Sequence, residues 1–153
     1  MKSKFNLCIL FSIILISNQI AAGPIDTKIL VRNSSNANYM DNNSDCSIDF
    51  SLIARGSLDN VEHIYFHSIL KNKKNEIILK QISKSYGFVE VGGKYFGSFF
   101  IDDEGACAGF GGVVDITKAI VTYKDGTKPE DIIKTKKLII DNFEPVKISI
   151  GSD

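Results

Sequence analysis

The fold of this protein is decided by the stretch Cys46-Ser47-Ile48-Asp49-Phe50-Ser51-Leu52-Ile53-Ala54. Apolar residues occupy every second position of this stretch, and most of the residues between them are polar. Successive side chains of a β-strand point to opposite faces of a sheet, so the alternation predicts a strand with one buried and one outer face. We expect Cys46 to lie on the buried face.

Further strands are predicted by the same kind of pattern elsewhere in the chain. Each run is rich in β-branched and aromatic residues and is bounded by turn residues such as Asp125-Gly126. We therefore predict an all-β fold, an antiparallel β-sandwich of the immunoglobulin or fibronectin-III type, with about seven to nine strands and at most one short helix. The predicted strands besides residues 46–54 are 27–32, 61–70, 76–82, 88–91, 94–101, 113–123, 138–140 and 146–150.

Three features interrupt the strand pattern. Residues 33–45 are dominated by Asn, Ser and Asp, which predicts a loop. Residues 129–134 start with Pro and two acidic residues, which suits the first turn of a helix, so we predict a helix of one or two turns there. Gly97 lies inside an aromatic strand and predicts a β-bulge.

The N-terminus has the layout of a secretory signal peptide. Two lysines lie within the first four residues, an apolar run covers residues 5–16, and the small residues Ala21-Ala22 end the segment. The apolar run is shorter than the ~20 residues that a membrane-spanning helix needs. We predict a signal peptide over residues 1–22, a single mature domain over residues 23–153, a secreted or periplasmic location, and no membrane anchor after cleavage.

The charge balance of the chain argues against binding to nucleic acid. The full chain carries 18 basic and 18 acidic residues, and the predicted signal peptide takes two of the basic ones. A mature domain with a small negative net charge lacks the broad basic surface of a nucleic-acid-binding protein. We therefore expect no nucleic-acid partner.

Two cysteines remain after cleavage, since Cys8 lies in the predicted signal peptide. In an oxidising compartment, Cys46 and Cys107 are most simply paired as a disulfide, which would stabilise the domain by roughly 4 kcal/mol on the chain-entropy model. A metal site and two free thiols are the competing interpretations. Neither cysteine has a second Cys or His at ligand spacing nearby, so a zinc site would lack its other ligands.

No catalytic constellation is visible in the mature chain. His63 and His67 are the only histidines, and on a strand their positions are ~13 Å apart, too far for both rings to bind one metal ion. The glycines around Cys107 lack the context of a phosphate-binding loop, and the acidic turn 102–104 matches no calcium loop. We predict no catalytic residue, no metal site, no cofactor and no enzymatic activity.

Aromatic side chains are the best candidates for recognition of a partner, because Tyr and Phe contribute strongly to interfaces when exposed. The run 94–101 carries aromatic residues on both of its faces, so some of them must point away from the interior. We predict Tyr95 as the first exposed anchor, and Tyr65 and His67 as further contact residues. The aromatic cluster as a whole comprises Tyr86, Phe88, Tyr95, Phe96, Phe99 and Phe100.

Three segments carry a resemblance to a known family: 45–50 in an early strand, Gly105-Ala106-Cys107 much later, and 118–123 near the end. On these, the mature chain resembles the small exported bacterial β-sandwiches of the interleukin-receptor-mimic family. The resemblance implies a fibronectin-III-like domain that forms dimers through its strands, binds host immune proteins and catalyses no reaction. An immunoglobulin domain proper would carry a Trp against its disulfide, and this chain has no Trp.

The function predicted from the sequence is therefore an exported, virulence-associated protein that recognises another protein, such as an extracellular host protein. Strand exchange at sheet edges offers a route to a homodimer. The alternatives are a fimbrial or envelope structural subunit and a secreted enzyme inhibitor. A fimbrial subunit should end in an alternating strand with an aromatic residue, and the end at 146–153 does not.

Overall fold

The computed structural model describes residues 24–33, 38–39, 46–103, 106, 111–142 and 146–151. Within these ranges the chain forms eleven strands and no long apolar helix that could cross a membrane. The strands are β1 (Ile29–Asn33), β2 (Asn38–Tyr39), β3 (Cys46–Arg55), β4 (Val61–Lys71), β5 (Ile77–Lys84), β6 (Tyr86–Val91), β7 (Lys94–Asp103), β8 (Val113–Tyr123), β9 (Glu130–Asp131), β10 (Leu138–Asp141) and β11 (Lys147–Ile150).

The strands form two sheets that pack face to face. Sheet A has the order β10-β1-β3-β7-β6, and β2 pairs with β3 beyond the end of β1. Sheet B has the order β11-β8-β4-β5, and β9 pairs with β8. The predicted all-β sandwich is confirmed. Two strands were not predicted, β2 and β9, and each is only two residues long.

Each sheet contains one parallel pair, so the sheets are mixed where the sequence predicted antiparallel ones. β10 runs parallel to β1 in sheet A, and β11 runs parallel to β8 in sheet B. A parallel pair needs a long crossover connection. The chain between β1 and β10 supplies one, and the chain between β8 and β11 supplies the other by passing through sheet A.

Three stacked phenylalanine rings join the two sheets in the core. Phe50 of β3 and Phe99 of β7 are paired neighbours in sheet A, and their ring centroids are 4.6 Å apart. Phe66 of β4 in sheet B stacks on Phe99 at 4.1 Å. All three side chains are fully buried, so the stack contributes area burial together with aromatic pairing of ~0.5–1.5 kcal/mol per pair.

The alternation that predicted β3 is confirmed, since Ile48, Phe50, Leu52 and Ala54 are buried. The backbone of Cys46 pairs with Asp103, but its side chain and the whole of Cys107 lie outside the described residues. The predicted disulfide therefore stays a prediction. So does the predicted signal peptide, because residues 1–22 also lie outside the described part of the chain.

The helix predicted at residues 129–134 is wrong. Glu130 and Asp131 form β9, which pairs antiparallel with β8, and a turn follows over residues 132–136. The Asp131 carboxylate accepts hydrogen bonds from the backbone N–H groups of Ala119 (3.4 Å) and Ile133 (3.1 Å). Ile132 also donates its N–H to the Ala119 carbonyl (2.9 Å). The two bonds with Ala119 hold this segment against β8 as a strand.

The irregularity predicted at Gly97 lies in the neighbouring strand. β7 stays in continuous register with β3 at Gly97, which is opposite Leu52. On its other side, β6 shifts register between Tyr86 and Val89, so two residues of β6 face Gly97. A Cβ atom on Gly97 would lie 2.9 Å from the Phe88 ring, which explains why glycine occupies this position.

Candidate binding surface

The outer face of sheet A presents Phe96, the residue after the predicted anchor Tyr95. The side chains of Phe99 and Ile101 point into the core, so the even-numbered residues of β7 point outward. Phe96 is 39% exposed, whereas Phe99 is fully buried. The aromatic cluster therefore divides between the two faces of the sheet, as its lack of strict alternation indicated.

An apolar row crosses the whole of sheet A through Phe96. Phe96 lies opposite Ile53 of β3 on one side and Val89 of β6 on the other. Ile53 lies opposite Leu30 of β1, which lies opposite Ile139 of β10. Neighbouring strands are ~4.8 Å apart, so the row is roughly 19 Å long. We call it the cross-strand row: Ile139, Leu30, Ile53, Phe96 and Val89.

The cross-strand row is accessible. Val89 is 58% exposed and Ile139 is 41% exposed, while Leu30 and Ile53 are half-buried between their neighbours. Val91, two residues along β6 on the same face, is 62% exposed. Single exposed apolar residues are ordinary on a protein surface, but a contiguous set across five strands is typical of an interaction site.

A polar row borders the cross-strand row, two residues away along each strand. It consists of Asp141, Arg32, Ser51 and Ser98, in register across β10, β1, β3 and β7. Arg32 donates its Nε–H to Asp141 Oδ2 at 2.6 Å and also forms an ion pair with that carboxylate. Such a change from apolar to polar residues is the pattern of an interface core with a polar rim.

The row ends at an open sheet edge. β6 pairs with β7, and no strand in the described part of the chain pairs with its other side. Tyr86 at the start of β6 contacts the Phe100 ring (centroids 4.9 Å apart) and is itself exposed. Partial desolvation, together with the nearby carboxylates of Asp49 and Asp102, raises the pKa of Tyr86. An open edge with exposed apolar side chains can accept an added strand from a partner.

Tyr65 and His67, the further predicted contact residues, lie on the outer face of sheet B. Tyr65 lies between Lys84 of β5 and Ile120 of β8, and both histidine side chains are half-buried. The rings of His63 and Tyr65 meet edge to face, with centroids 6.1 Å apart. These side chains are therefore on the opposite side of the sandwich from Phe96.

Tyr95 is half-buried and packs against the core, on the inward side of β7. Its hydroxyl donates a hydrogen bond to Asp59 Oδ1 at 2.6 Å, and the Ser57 hydroxyl donates to the same carboxylate at 2.8 Å. The hydrogen bond from Tyr95 lowers the pKa of Asp59 and raises the pKa of Tyr95 itself. The structure thus places Tyr95 apart from Tyr65 and His67, in the other sheet.

Other polar clusters in the described residues join elements of the fold. Lys71 Nζ lies 2.5 Å from Asp115 Oδ2, and Ser149 donates its hydroxyl to the same carboxylate, which links β4, β8 and β11. No group of three or more His, Cys, Asp and Glu side chains that could hold a metal ion occurs within the described ranges. A shallow cleft of about 250 Å³ is lined by Ile25, Leu58 and Tyr123 among others.

A second polar cluster fastens the start of the described chain. Tyr123 accepts the backbone N–H of Ile25 at 2.9 Å and donates its hydroxyl to Glu130 Oε2 at 2.8 Å. Lys137 Nζ donates to Glu130 Oε1 at 2.6 Å and to the Ile25 carbonyl. Burial and the bond to Glu130 raise the pKa of Tyr123 to about 12. Burial opposes ionisation of Glu130, but bonds from Lys137, Thr135 and Tyr123 outweigh it and lower its pKa.

Comparison with known proteins supports the fold. No protein-family model matches the chain, and no curated protein sequence matches it. Its structure is similar to that of IrmA from Escherichia coli, with a TM-score of 0.60 and 14% sequence identity, over 81% of this chain and 99% of the IrmA chain. At this identity the likeness shows a related β-sandwich fold and no more.

Proposed function

We propose that this protein is an exported, non-enzymatic binding protein that recognises another protein through the cross-strand row on sheet A. The observation that carries the proposal is the unbroken apolar register from Ile139 to Val89. A partner that covers the row removes apolar side chains from water, which favours association. The bordering polar row would then stay at the rim of the interface.

Phe96 is the expected centre of this interface. It lies near the middle of the row, has apolar neighbours on both sides, and is the only aromatic member. Aromatic side chains near the centre of an interface contribute a large share of the binding energy. The open edge of β6 lets a partner add a strand beside Val89, so that main-chain hydrogen bonds extend the sheet.

The compartment follows from the predicted signal peptide and from the predicted Cys46–Cys107 disulfide, both of which remain proposals. The resemblance to the interleukin-receptor-mimic family adds that the partner is an extracellular host immune protein. Tyr65, His67 and Tyr95 also remain proposed contact residues. The positions of Tyr65 and His67 require that any contact through them be separate from one through Phe96.

The test is binding of the mature protein, residues 23–153, to a panel of purified extracellular domains of immune receptors and cytokines. We expect at least one specific complex, and Phe96→Ser should weaken it by about tenfold or more because it removes the central aromatic anchor. Ile150→Ser is the matched control, since Ile150 is an exposed apolar residue of sheet B. It should bind as the wild type does.

Two outcomes would contradict the proposal. If Tyr65→Ala or His67→Ala abolished binding while Phe96→Ser did not, the binding surface would lie on sheet B. If the purified protein turned over a substrate and lost that activity on His67→Ala, the protein would be an enzyme.

The open sheet edges also favour a second kind of interaction, a homodimer. β5 and β6 are joined by the single residue Ser85, and they form edges of sheet B and sheet A respectively. Exposed apolar residues accompany both strands, including Ile77, Ile82 and Val89. We propose strand exchange at these edges as the route to a dimer, which native mass spectrometry of the mature protein would detect.

A further inference from the structure

The outer face of sheet B is basic although the chain as a whole has equal numbers of basic and acidic residues. β5 presents Lys80 and Lys84 on this face, since the alternate residue Ser83 is buried. Lys118 of β8 lies opposite His67, and Lys147 of β11 lies opposite Val113 of β8. These four lysines therefore belong to three strands, β5, β8 and β11.

The cations form a two-dimensional array. Lys80 and Lys84 are separated by ~13 Å along β5, and Lys118 is two strands away, ~10 Å across the sheet. Lys80 and Lys84 are exposed, and Lys118 is half-buried. His67 of β4 lies between these strands, opposite Ile82 of β5 and Lys118 of β8.

The acidic residues on the same face are largely matched by further lysines. Asp115 is paired with Lys71 at 2.5 Å, and Asp131 lies 3.9 Å from Lys134. Among the described residues, the exposed lysines Lys80, Lys84 and Lys147 stand beside these ion pairs, and Glu62 of β4 is a further exposed carboxylate.

We propose that this basic face adsorbs to a membrane surface rich in anionic phospholipid headgroups. A flat sheet that carries cations in two dimensions matches a planar array of phosphates, because several lysines can approach the surface at once. Ile82, 62% exposed, lies between Lys80 and Lys84 and can enter the headgroup layer. Tyr65 suits the same boundary, where aromatic rings with a polar tip are favoured.

The adsorbed protein would have a defined orientation. The cross-strand row lies on the outer face of the other sheet, on the opposite side of the core. Adsorption through sheet B therefore leaves the cross-strand row exposed to solution and available to a protein partner. The inference does not depend on the proposed interface at the cross-strand row, since that row lies on the other sheet and has a different ligand.

The experiment is sedimentation of the mature protein with vesicles of phosphatidylcholine alone and vesicles of an equal mixture of phosphatidylcholine and phosphatidylglycerol. We expect binding to the mixed vesicles only, and loss of that binding in about 1 M salt, where the Debye length is about 3 Å. Lys80→Glu/Lys84→Glu should weaken binding by about tenfold or more, because each lysine near an anionic surface contributes separately.

The matched control is Arg55→Glu/Lys94→Glu, which makes the same change in net charge on the outer face of sheet A. It should bind mixed vesicles far better than the sheet B variant does. Equal loss in both variants, equal binding to both kinds of vesicle, or binding to a sulfated polysaccharide without binding to mixed vesicles would overturn the proposal. Circular dichroism of each variant checks that it remains folded, and Lys80→Gln/Lys84→Gln replaces any variant that does not.

Discussion

Tyr123 connects distant parts of the chain through one hydroxyl group. It accepts the N–H of Ile25, which lies 98 residues earlier, and donates to Glu130 of β9. The ring is 6% exposed, so both bonds lie where water competes poorly. A buried donor that loses its partner costs about 1–3 kcal/mol. This one residue therefore holds the start of the described chain against sheet B.

We predict that Tyr123→Phe lowers the free energy of unfolding by about 1–3 kcal/mol, because the Ile25 N–H loses its acceptor and Glu130 loses a donor. Urea unfolding of both proteins at pH 7 measures the difference. Tyr65→Phe, on the outer face of sheet B, is the control and should change stability little. An equal loss in both variants would contradict the role given to Tyr123.

The same residue predicts a pH dependence in alkaline solution. The pKa of Tyr123 is raised to about 12, from about 10 in an unfolded chain, so folding favours the protonated phenol. Its contribution to stability is fully present below pH 10 and is lost as the pH rises through about 12. The stability difference between wild type and Tyr123→Phe should therefore shrink across this range. A difference that is constant with pH would contradict the raised pKa.

At the scale of elements, β6 depends on the missing side chain of Gly97. Two residues of β6 face this one position of β7, and the Phe88 ring occupies the space that a Cβ atom would take. The carbonyl oxygen of Tyr86 also lies only 3.1 Å from that position. The bulge in β6 and the glycine in β7 are therefore one feature, and the edge next to the cross-strand row is shaped by it.

We predict that Gly97→Ala lowers the free energy of unfolding by about 1–3 kcal/mol, because the added methyl group clashes with Phe88 and with the backbone of β6. Phe88→Ala in the same chain should recover part of the loss, since it opens the space that the methyl group needs. Urea unfolding of the two single variants and the double variant measures the coupling. Strict additivity of the two losses would contradict the contact.

At the scale of the whole molecule, the two outer faces differ in chemistry. Sheet A presents an apolar row with a polar border, and sheet B presents lysines and histidines. The stacked rings of Phe50, Phe99 and Phe66 hold these faces on opposite sides of one core. A protein partner and an anionic surface could then be engaged at the same time.

The mature form of the molecule is predicted to start at Gly23 and to contain one disulfide between Cys46 and Cys107. Mass spectrometry under denaturing, non-reducing conditions should give the mass of residues 23–153 less two hydrogens, and the native spectrum reports a monomer or a dimer. Free thiols or an uncleaved N-terminus would contradict export, on which the proposed host partner depends.

The strands themselves were predictable, because the two-residue period of β3, β4 and β8 is a local property of the chain. Their buried positions, such as Ile48 and Ile64, follow directly from that alternation. The sequence also located the irregularity at Gly97, although the bulge itself lies in β6. It predicted Tyr95 as the exposed anchor, whereas Phe96 is the more exposed of the two, and the local pattern does not separate them because aromatic residues occupy both faces of β7.

The tertiary structure decided what depends on residues far apart in the chain. Burial of Phe99 against Phe66 of the other sheet sets which face of β7 is outward, and so exposes Phe96. Pairing with β8 turned Glu130 and Asp131 into a strand, where their local pattern favoured a helix. Alternation along one strand depends on consecutive residues, but strand order and register depend on contacts between residues far apart in the chain. The cross-strand row forms only through those distant contacts.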